Sequence, residues 1–132
     1  GGRHMEHSVL RGVTDGNTLI AAGANCTIST NNVLNPFTPY GDCSLTRMAN
    51  LYANITQRDL PQDLDECFEM LTNRAAKLMR LNDYGIAVGK AADLVVWGGP
   101  RRRDIIAKCA LPLAGFKRGR RMFKRELPAL ER

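Results

Sequence analysis

A polar loop containing two prolines separates an apolar run from an amphipathic helix, and this junction constrains the fold more than any other stretch. The apolar run covers residues 24–28, the loop covers residues 29–42, and the helical pattern begins near Ser44. Proline and asparagine favour turns for backbone reasons, which makes the middle segment a loop. A strand that leads through a loop into a helix is the repeating unit of an αβ barrel. This order predicts an α/β fold whose chemistry lies in the loop.

Within the loop, Asn31 and Asn32 are the candidate site residues, because their side chains follow the predicted strand directly. In barrels, the loops at the carboxyl ends of the strands carry the functional groups. The alternative is that both asparagines only shape a turn, where the side-chain amide bonds to nearby backbone groups. The local pattern leaves both interpretations open.

The loop and its surroundings also resemble an enzyme family. Residues 29–33 read Ser-Thr-Asn-Asn-Val, and Pro36-Phe37 and Pro39-Tyr40-Gly41 follow them. This order is similar to the last barrel strand and loop of the metal-dependent amidohydrolase superfamily, in its branch of cytosine deaminases. Three further stretches match the family in order and spacing: Gly2-Arg3, residues 11–14 and residues 83–96.

The resemblance implies that the chain is the C-terminal fragment of a (β/α)8 amidohydrolase barrel. Its 132 residues are far fewer than the roughly 250 of a whole barrel. Residues 1–84 would supply the last helices and strand 8 of the barrel. Residues 85–132 would supply β-strands of a composite β-sandwich domain, including a basic hairpin.

The resemblance also implies a role for each loop residue. In the family, a divalent metal such as zinc or iron activates a water molecule, and an aspartate after the eighth strand binds the metal and takes the proton. Asn31 stands at that position, and its neutral amide cannot carry a proton at neutral pH. Asn32 matches a second aspartate beside the substrate, and Phe37 is expected to contact the substrate as well. We therefore expect no metal or other cofactor in this chain, and no turnover by the chain alone.

Other residues of suitable chemistry give weaker signals. Asp42 suits an anion at the start of the following helix better than a replacement base. His4 and His7 lie on an irregular stretch before the strand, where a solvent-exposed position is the expected one. The four cysteines lack metal-ligand spacing and are expected to be free thiols, with Cys26 and Cys109 as small core residues.

Charge is distributed unevenly along the chain, whose net charge is +6. Residues 1–84 hold seven basic and nine acidic residues, whereas residues 85–132 hold twelve basic and four acidic ones. The basic runs are Arg101-Arg102-Arg103 and residues 117–121. Such runs suggest nucleic-acid binding, but no aromatic residues suited to base stacking alternate with them. We interpret them as a solvated loop and hairpin.

The hydrophobic pattern predicts mainly helices over residues 14–81 and mainly strands over residues 92–124. The predicted elements are a short helix capped by Thr14 and ended by Gly23, a strand over residues 24–29, a helix capped by Ser44, a helical stretch from Pro61 that breaks near Thr72-Asn73, a buried strand over residues 92–97, a strand over residues 105–110, and a hairpin joining residues 113–116 to residues 121–124.

Three functional hypotheses follow. The leading one is the C-terminal part of a cytosine-deaminase-like hydrolase that acts on a carbon–nitrogen bond of a small heterocyclic or amide substrate, with the remainder of the barrel or a second copy as its partner. The second is a stand-alone, self-associating binding or structural module derived from such an enzyme. The third and weakest is a basic nucleic-acid-binding domain. No apolar run is long enough to span a membrane and nothing resembles a signal peptide, so a cytoplasmic location without membrane contact is expected.

Overall fold

The computed structural model describes residues 12–36 and 38–129. Its elements are, in chain order, α1 (Gly16–Ala21), α2 (Leu45–Ile55), α3 (Pro61–Leu71), α4 (Asn73–Leu78), β1 (Leu94–Trp97), α5 (Arg102–Ala107), β2 (Pro112–Lys117) and β3 (Arg120–Lys124). The predicted α/β class is confirmed. The helical first part and the sheet in the second part are also as predicted, although a helix interrupts the second part.

The first helix starts one residue later than predicted, because Asp15 rather than Thr14 caps it. The Asp15 carboxylate accepts hydrogen bonds from the backbone N–H groups of Asn17 and Thr18, at 3.2 and 3.3 Å. These groups have no partner within the helix, and a carboxylate satisfies them well. Gly23 follows the helix with φ of +93°, which is the predicted left-handed stop.

The next helices begin where the sequence predicts. Ser44 caps α2, and its hydroxyl accepts a hydrogen bond from Arg47 N at 3.3 Å. Pro61 opens α3 at the first helical position, where its missing N–H costs nothing. The helical stretch breaks at Thr72, whose φ and ψ of −121° and −94° separate α3 from α4.

The core lies where α2, α3 and α5 meet. Its buried side chains are Ala49, Tyr52, Ala53, Cys67, Met70 and Ile106, and Cys26 and Ile28 pack against them half-buried. The strand predicted over residues 24–29 is wrong for the described chain, since these residues form no β-ladder. A strand is defined by hydrogen bonds to a neighbour, and no described segment runs beside this one as a partner strand.

The strand predicted over residues 105–110 is also wrong, because residues 102–107 form helix α5. A short apolar run fits a buried strand or a buried helix equally well by pattern. Tertiary contacts decide here: Ile105 and Ile106 are 5% and 0% exposed, and α5 packs on α3 and α2.

The sheet is antiparallel, with strand order β1-β2-β3. The predicted hairpin is confirmed, and Arg118 and Gly119 turn it with φ of +47° and +76°. The prediction of a buried strand over residues 92–97 is half right. The strand forms, but Val95 and Val96 are 51% and 47% exposed, because no described element covers them.

All four cysteines are free thiols, as predicted. The fully buried one is Cys67, whereas Cys26 and Cys109, expected in the core, are only half-buried. No helix within residues 12–36 and 38–129 has the length and apolar character to cross a membrane.

Candidate functional site

The loop between residue 29 and α2 is folded back on itself by local hydrogen bonds. The Thr30 hydroxyl accepts from Asn32 N at 3.2 Å. Asn35 and Thr38 form an isolated antiparallel bridge, with both backbone N–H···O distances at 3.0 Å. Leu34 N donates to Tyr40 O at 3.3 Å. Phe37 lies outside the described residues.

The two candidate asparagines occupy different environments, although both are exposed. Asn32 lines a cavity of about 210 Å³ between the loop and the start of α2. Asn31 does not line it. Other polar side chains around this cavity include Thr30, Thr38, Tyr40, Asp42, Cys43 and Ser44.

Two side-chain amides are linked beside this cavity. Asn35 Nδ2 donates to Asn32 Oδ1 at 3.1 Å. Asn35 Oδ1 in turn accepts from Thr38 N at 3.0 Å. Asn35, which was not among the predicted site residues, is therefore an asparagine that shapes the turn through its side chain. Its signal was the dipeptide Asn35-Pro36, since Asn-Pro favours the start of a turn.

Asp42 is engaged by the beginning of α2. Its carboxylate accepts from Ser44 N at 3.0 Å and pairs with Arg47, whose Nη2 lies 2.7 Å from Oδ2. The Arg47 hydrogen bonds, followed by the one from Ser44 N, lower the pKa of Asp42 below its usual value. A carboxylate held in this way is a poor proton acceptor near neutral pH. Asp42 is a helix N-terminal anion, as the sequence suggested, and not a replacement base.

A second, apolar cavity of about 480 Å³ lies between α1, residues 26–29 and α2. Tyr52 is its most polar buried side chain, and the hydroxyl donates to Asn17 Oδ1 and accepts from Asn17 N. Burial raises the pKa of Tyr52 above its usual value, so the hydroxyl stays neutral. This cavity offers an apolar surface rather than a reactive group.

The described residues do not fit a metal site by themselves. Within residues 12–36 and 38–129, no group of three or more His, Cys, Asp or Glu side chains converges. At the position that the resemblance assigns to a metal-binding aspartate, Asn31 presents a neutral amide, and Asp42 is taken by Arg47. His4 and His7 lie outside the described residues.

Most of the basic side chains near α5 have acidic partners within the chain. Arg101 pairs with Asp104, while Arg102 pairs with Glu69. The Arg103 guanidinium lies more loosely beside Asp65, with Nη1 3.8 Å from a carboxylate oxygen. In the hairpin, Lys117 pairs with Asp93. Arg102 and Arg103 thus connect α5 to α3, and each arginine of the run has an acidic partner.

Comparison with known families and relatives gives a consistent match. A family model described as the amidohydrolase family matches residues 2–109. The chain is 29% identical over 110 residues to N-isopropylammelide isopropyl amidohydrolase of Pseudomonas sp. (strain ADP). It is 30% identical over 119 residues to pterin deaminase of Rhizobium rhizogenes. The alignments cover 83% and 89% of this chain but only 27% and 26% of those proteins, so the chain spans about a quarter of their length.

Solved structures that are similar to the chain include enzymes of the same kinds as these relatives, namely a deaminase and an N-isopropylammelide hydrolase. A 5-methylcytosine deaminase from Klebsiella pneumoniae liganded with 5-fluorocytosine matches 99% of the chain with a TM-score of 0.88 and 25% identity. The match covers 32% of that protein. An N-isopropylammelide isopropylaminohydrolase from Burkholderia multivorans matches 80% of the chain with a TM-score of 0.74. At 22% identity, this second structure supports the fold alone.

Proposed function

Because the chain belongs to the amidohydrolase family, we propose that it forms the C-terminal part of a hydrolase acting on a carbon–nitrogen bond of a small heterocycle or amide. The observation that carries the proposal is the match to the solved 5-methylcytosine deaminase, which covers 99% of this chain but 32% of that protein. Nearly the whole chain therefore matches about one third of an enzyme, as expected if it is a segment of a similar enzyme.

Each part of the chain then has a place in the whole protein. Residues 1–84 would supply the end of the barrel, with residues 24–29 as its last strand once neighbouring strands provide hydrogen-bond partners. Residues 85–132 would supply the strands of the small β domain. Among the described residues, no strand pairs with the outer edges of β1 and β3. This favours the assignment, since unpaired strand edges are normally covered or paired.

The loop of residues 29–42 would face the substrate in this arrangement. The carboxyl ends of barrel strands carry the site in enzymes of this architecture. Asn32 and Phe37 are the proposed substrate contacts. Asn31 stands at the position of a metal-binding aspartate, without the charge that the position usually carries.

Hydrolysis of a carbon–nitrogen bond requires a water oxygen to attack the carbon and a proton to reach the departing amine. A metal would make the water a stronger nucleophile when bound, but the described residues do not fit one by themselves. Asp42 is held by Arg47, and Asn31 and Asn32 cannot accept a proton at neutral pH. The described residues of this loop therefore position the substrate, and the base lies outside them.

Exposed apolar side chains support association with further protein. Ile86 and Val88 are 93% and 106% exposed, although such side chains are usually buried. The apolar cavity of about 480 Å³ beside residues 26–29 also opens outward. Burying such surface is favourable by roughly 25 cal/mol per Å².

The proposal is tested by comparing the full-length protein with the 132-residue chain for release of ammonia or amine from a panel of amino-substituted pyrimidines, pterins and triazines. We expect turnover by the full-length protein and none by the chain. Turnover by the isolated chain, or none by the full-length protein on any member of the panel, would contradict it. In the full-length protein, we also expect Asn31→Asp to increase bound divalent metal in elemental analysis, if residue 31 faces the metal position.

The alternatives predict different results. A self-associating module would sediment as a stable oligomer of the 132-residue chain and would show no turnover in any form. A nucleic-acid-binding domain would show an affinity for DNA or RNA that falls steeply with salt. The pairing of Arg102 with Glu69 and of Lys117 with Asp93 does not favour the nucleic-acid alternative.

A further inference from the structure

The amide of Asn32 has an orientation that its surroundings impose. Thr38 N–H is shared between the backbone O and the side-chain Oδ1 of Asn35, each 3.0 Å away. Because an N–H can only donate, the side-chain atom of Asn35 that faces it must be the oxygen. Asn35 then turns its Nδ2 donor toward Asn32, where the partner atom must be an acceptor. Asn32 Oδ1 occupies that place at 3.1 Å. A backbone donor thus fixes two side-chain amides in sequence.

Asn32 consequently offers donors to its cavity. Its oxygen is engaged by Asn35, and its Nδ2 carries two N–H groups. No contact within residues 12–36 and 38–129 engages this nitrogen. A carboxylate at the same position would offer acceptors only. The hydrogen-bonding character of the cavity therefore depends on residue 32 being an amide held in this orientation.

Two of the other polar residues around the cavity, Tyr40 and Asp42, suit the same ligand chemistry. Tyr40 lines it, is 69% exposed, and contributes a hydroxyl that can donate. Asp42, the carboxylate at the cavity, is already bonded by Arg47 and Ser44 N. Its charge is compensated within the protein, so the cavity does not present a free anion to a ligand.

We propose that the cavity lined by Asn32, Tyr40 and Asp42 selects a ligand edge made of hydrogen-bond acceptors, such as a carbonyl oxygen or an unprotonated ring nitrogen of a heterocycle. Asn32 Nδ2 donates a hydrogen bond to this edge of the ligand. Asn35 is a positioning residue, because it holds the Asn32 amide in the required orientation. This inference rests on the proposed function for the idea that the ligand is a substrate, and it specifies the polar edge of that substrate.

The experiment measures equilibrium binding of two uncharged ring probes to the full-length protein by ligand-detected NMR. Pyridine N-oxide presents an acceptor without any N–H group, and aniline presents an amino donor. We expect pyridine N-oxide to bind about 3- to 10-fold more tightly, which is the effect of one neutral hydrogen bond. Equal affinities, tighter binding of aniline, or no saturable binding of either probe would overturn the proposal.

Two variants test the orientation. Asn32→Asp removes the donors and keeps an acceptor for Asn35 Nδ2, so we expect aniline to become the tighter probe. Asn35→Asp keeps an acceptor for Thr38 N–H but loses the donor to Asn32, whose amide should then flip and turn its oxygen to the cavity. The preference should again reverse, although residue 35 does not line the cavity. If Asn35 only maintained the fold, its variant would weaken the binding of both probes by the same factor. That result would contradict its role as a positioning residue.

The control is Asn82→Asp, which adds the same charge at an exposed side chain outside the cavity. The probe ratio should stay as in the unmodified protein. If the Asn35 variant does not fold, the exposed Asn32 variant still decides the outcome. Neither probe requires turnover, so the two proposals fail separately: turnover without a probe preference contradicts this inference alone, and a preference without turnover contradicts the proposed function alone.

Discussion

The aromatic ring of Phe123 lies over Gly115, its register partner across the β2–β3 ladder. A Cβ atom added to Gly115 would lie 2.2 Å from Phe123 Cε1 and 2.9 Å from Cδ1. Real Cβ atoms do not approach other atoms so closely. Because Gly115 has no side chain, the aromatic ring can pack directly against the backbone of β2. The ring covers Gly115, which is the buried residue of that strand.

We predict that Gly115→Ala destabilises the protein by about 1–3 kcal/mol, as expected for overpacking. The new methyl group would force the Phe123 ring away from β2 and into solvent. The free energy of unfolding, measured by urea denaturation, checks the prediction. Gly98→Ala is the matched control, because its Cβ would meet Leu113 Cδ1 at an ordinary 3.6 Å. Equal losses at both glycines would contradict the explanation.

Helix α5 provides a second prediction, because two kinds of contact attach it. Ile106 is 0% exposed, and Ile106→Ala should cost about 2–5 kcal/mol of stability through a core cavity. Arg102 pairs with Glu69 but its side chain is 61% exposed, so Arg102→Ala should cost less than about 1 kcal/mol. Urea denaturation of both variants measures the difference. A larger loss for the arginine would show that charge rather than burial holds α5 in place.

The lowered pKa of Asp15 predicts that the protein loses stability at acid pH. Its carboxylate accepts from the Thr18 hydroxyl and from Arg58 Nη2, each at 2.7 Å, and these bonds lower its pKa to about 2. In the unfolded chain an aspartate titrates near pH 3.9. The folded pKa is the lower one, so the stabilisation is complete above about pH 4 and is lost as the pH falls toward 2.

Asp15→Asn should remove this pH dependence, since an asparagine caps the helix without titrating. Urea denaturation between about pH 2 and pH 5, which spans the folded and unfolded pKa values, compares the slope for the variant with that of the unmodified protein. Asp59→Asn, at an exposed position, serves as the control and should keep the slope. Parallel curves for the Asp15 variant and the unmodified protein would rule out this carboxylate as the source.

Tyr52 joins α2 to α1 through its hydroxyl, which bonds to both the backbone N and the side-chain oxygen of Asn17. Tyr52→Phe leaves these polar groups with fewer partners and should cost about 1–2 kcal/mol. Hydrogen exchange of the α1 amides should accelerate as well. Tyr40→Phe, at a side chain that is 69% exposed, should change stability by less than about 0.5 kcal/mol. Similar effects at both tyrosines would contradict the proposed link between the helices.

Local chemistry determined much of this structure. Ser44 and Pro61 mark helix starts through a hydroxyl cap and a fixed φ, and the turn at Gly119 requires a positive φ. These effects act over a few residues, and the sequence therefore predicts them well. The motif around residues 29–41 also identified the family, since the order of residue types along the chain carries that resemblance.

Tertiary structure alone decided the elements whose state depends on distant partners. Residues 102–107 became a helix because Ile105 and Ile106 bury against α3 and α2. Residues 24–29 formed no strand because no described segment pairs with them in a sheet. Likewise, the sequence predicted Asn32 as a site residue. Only the hydrogen bonds from Thr38 N to Asn35 and from Asn35 to Asn32 determined which amide atom of Asn32 is an available donor. The physical reason is the same in each case: burial and hydrogen-bond partners come from residues far away in sequence or across a turn, and a local pattern does not specify them.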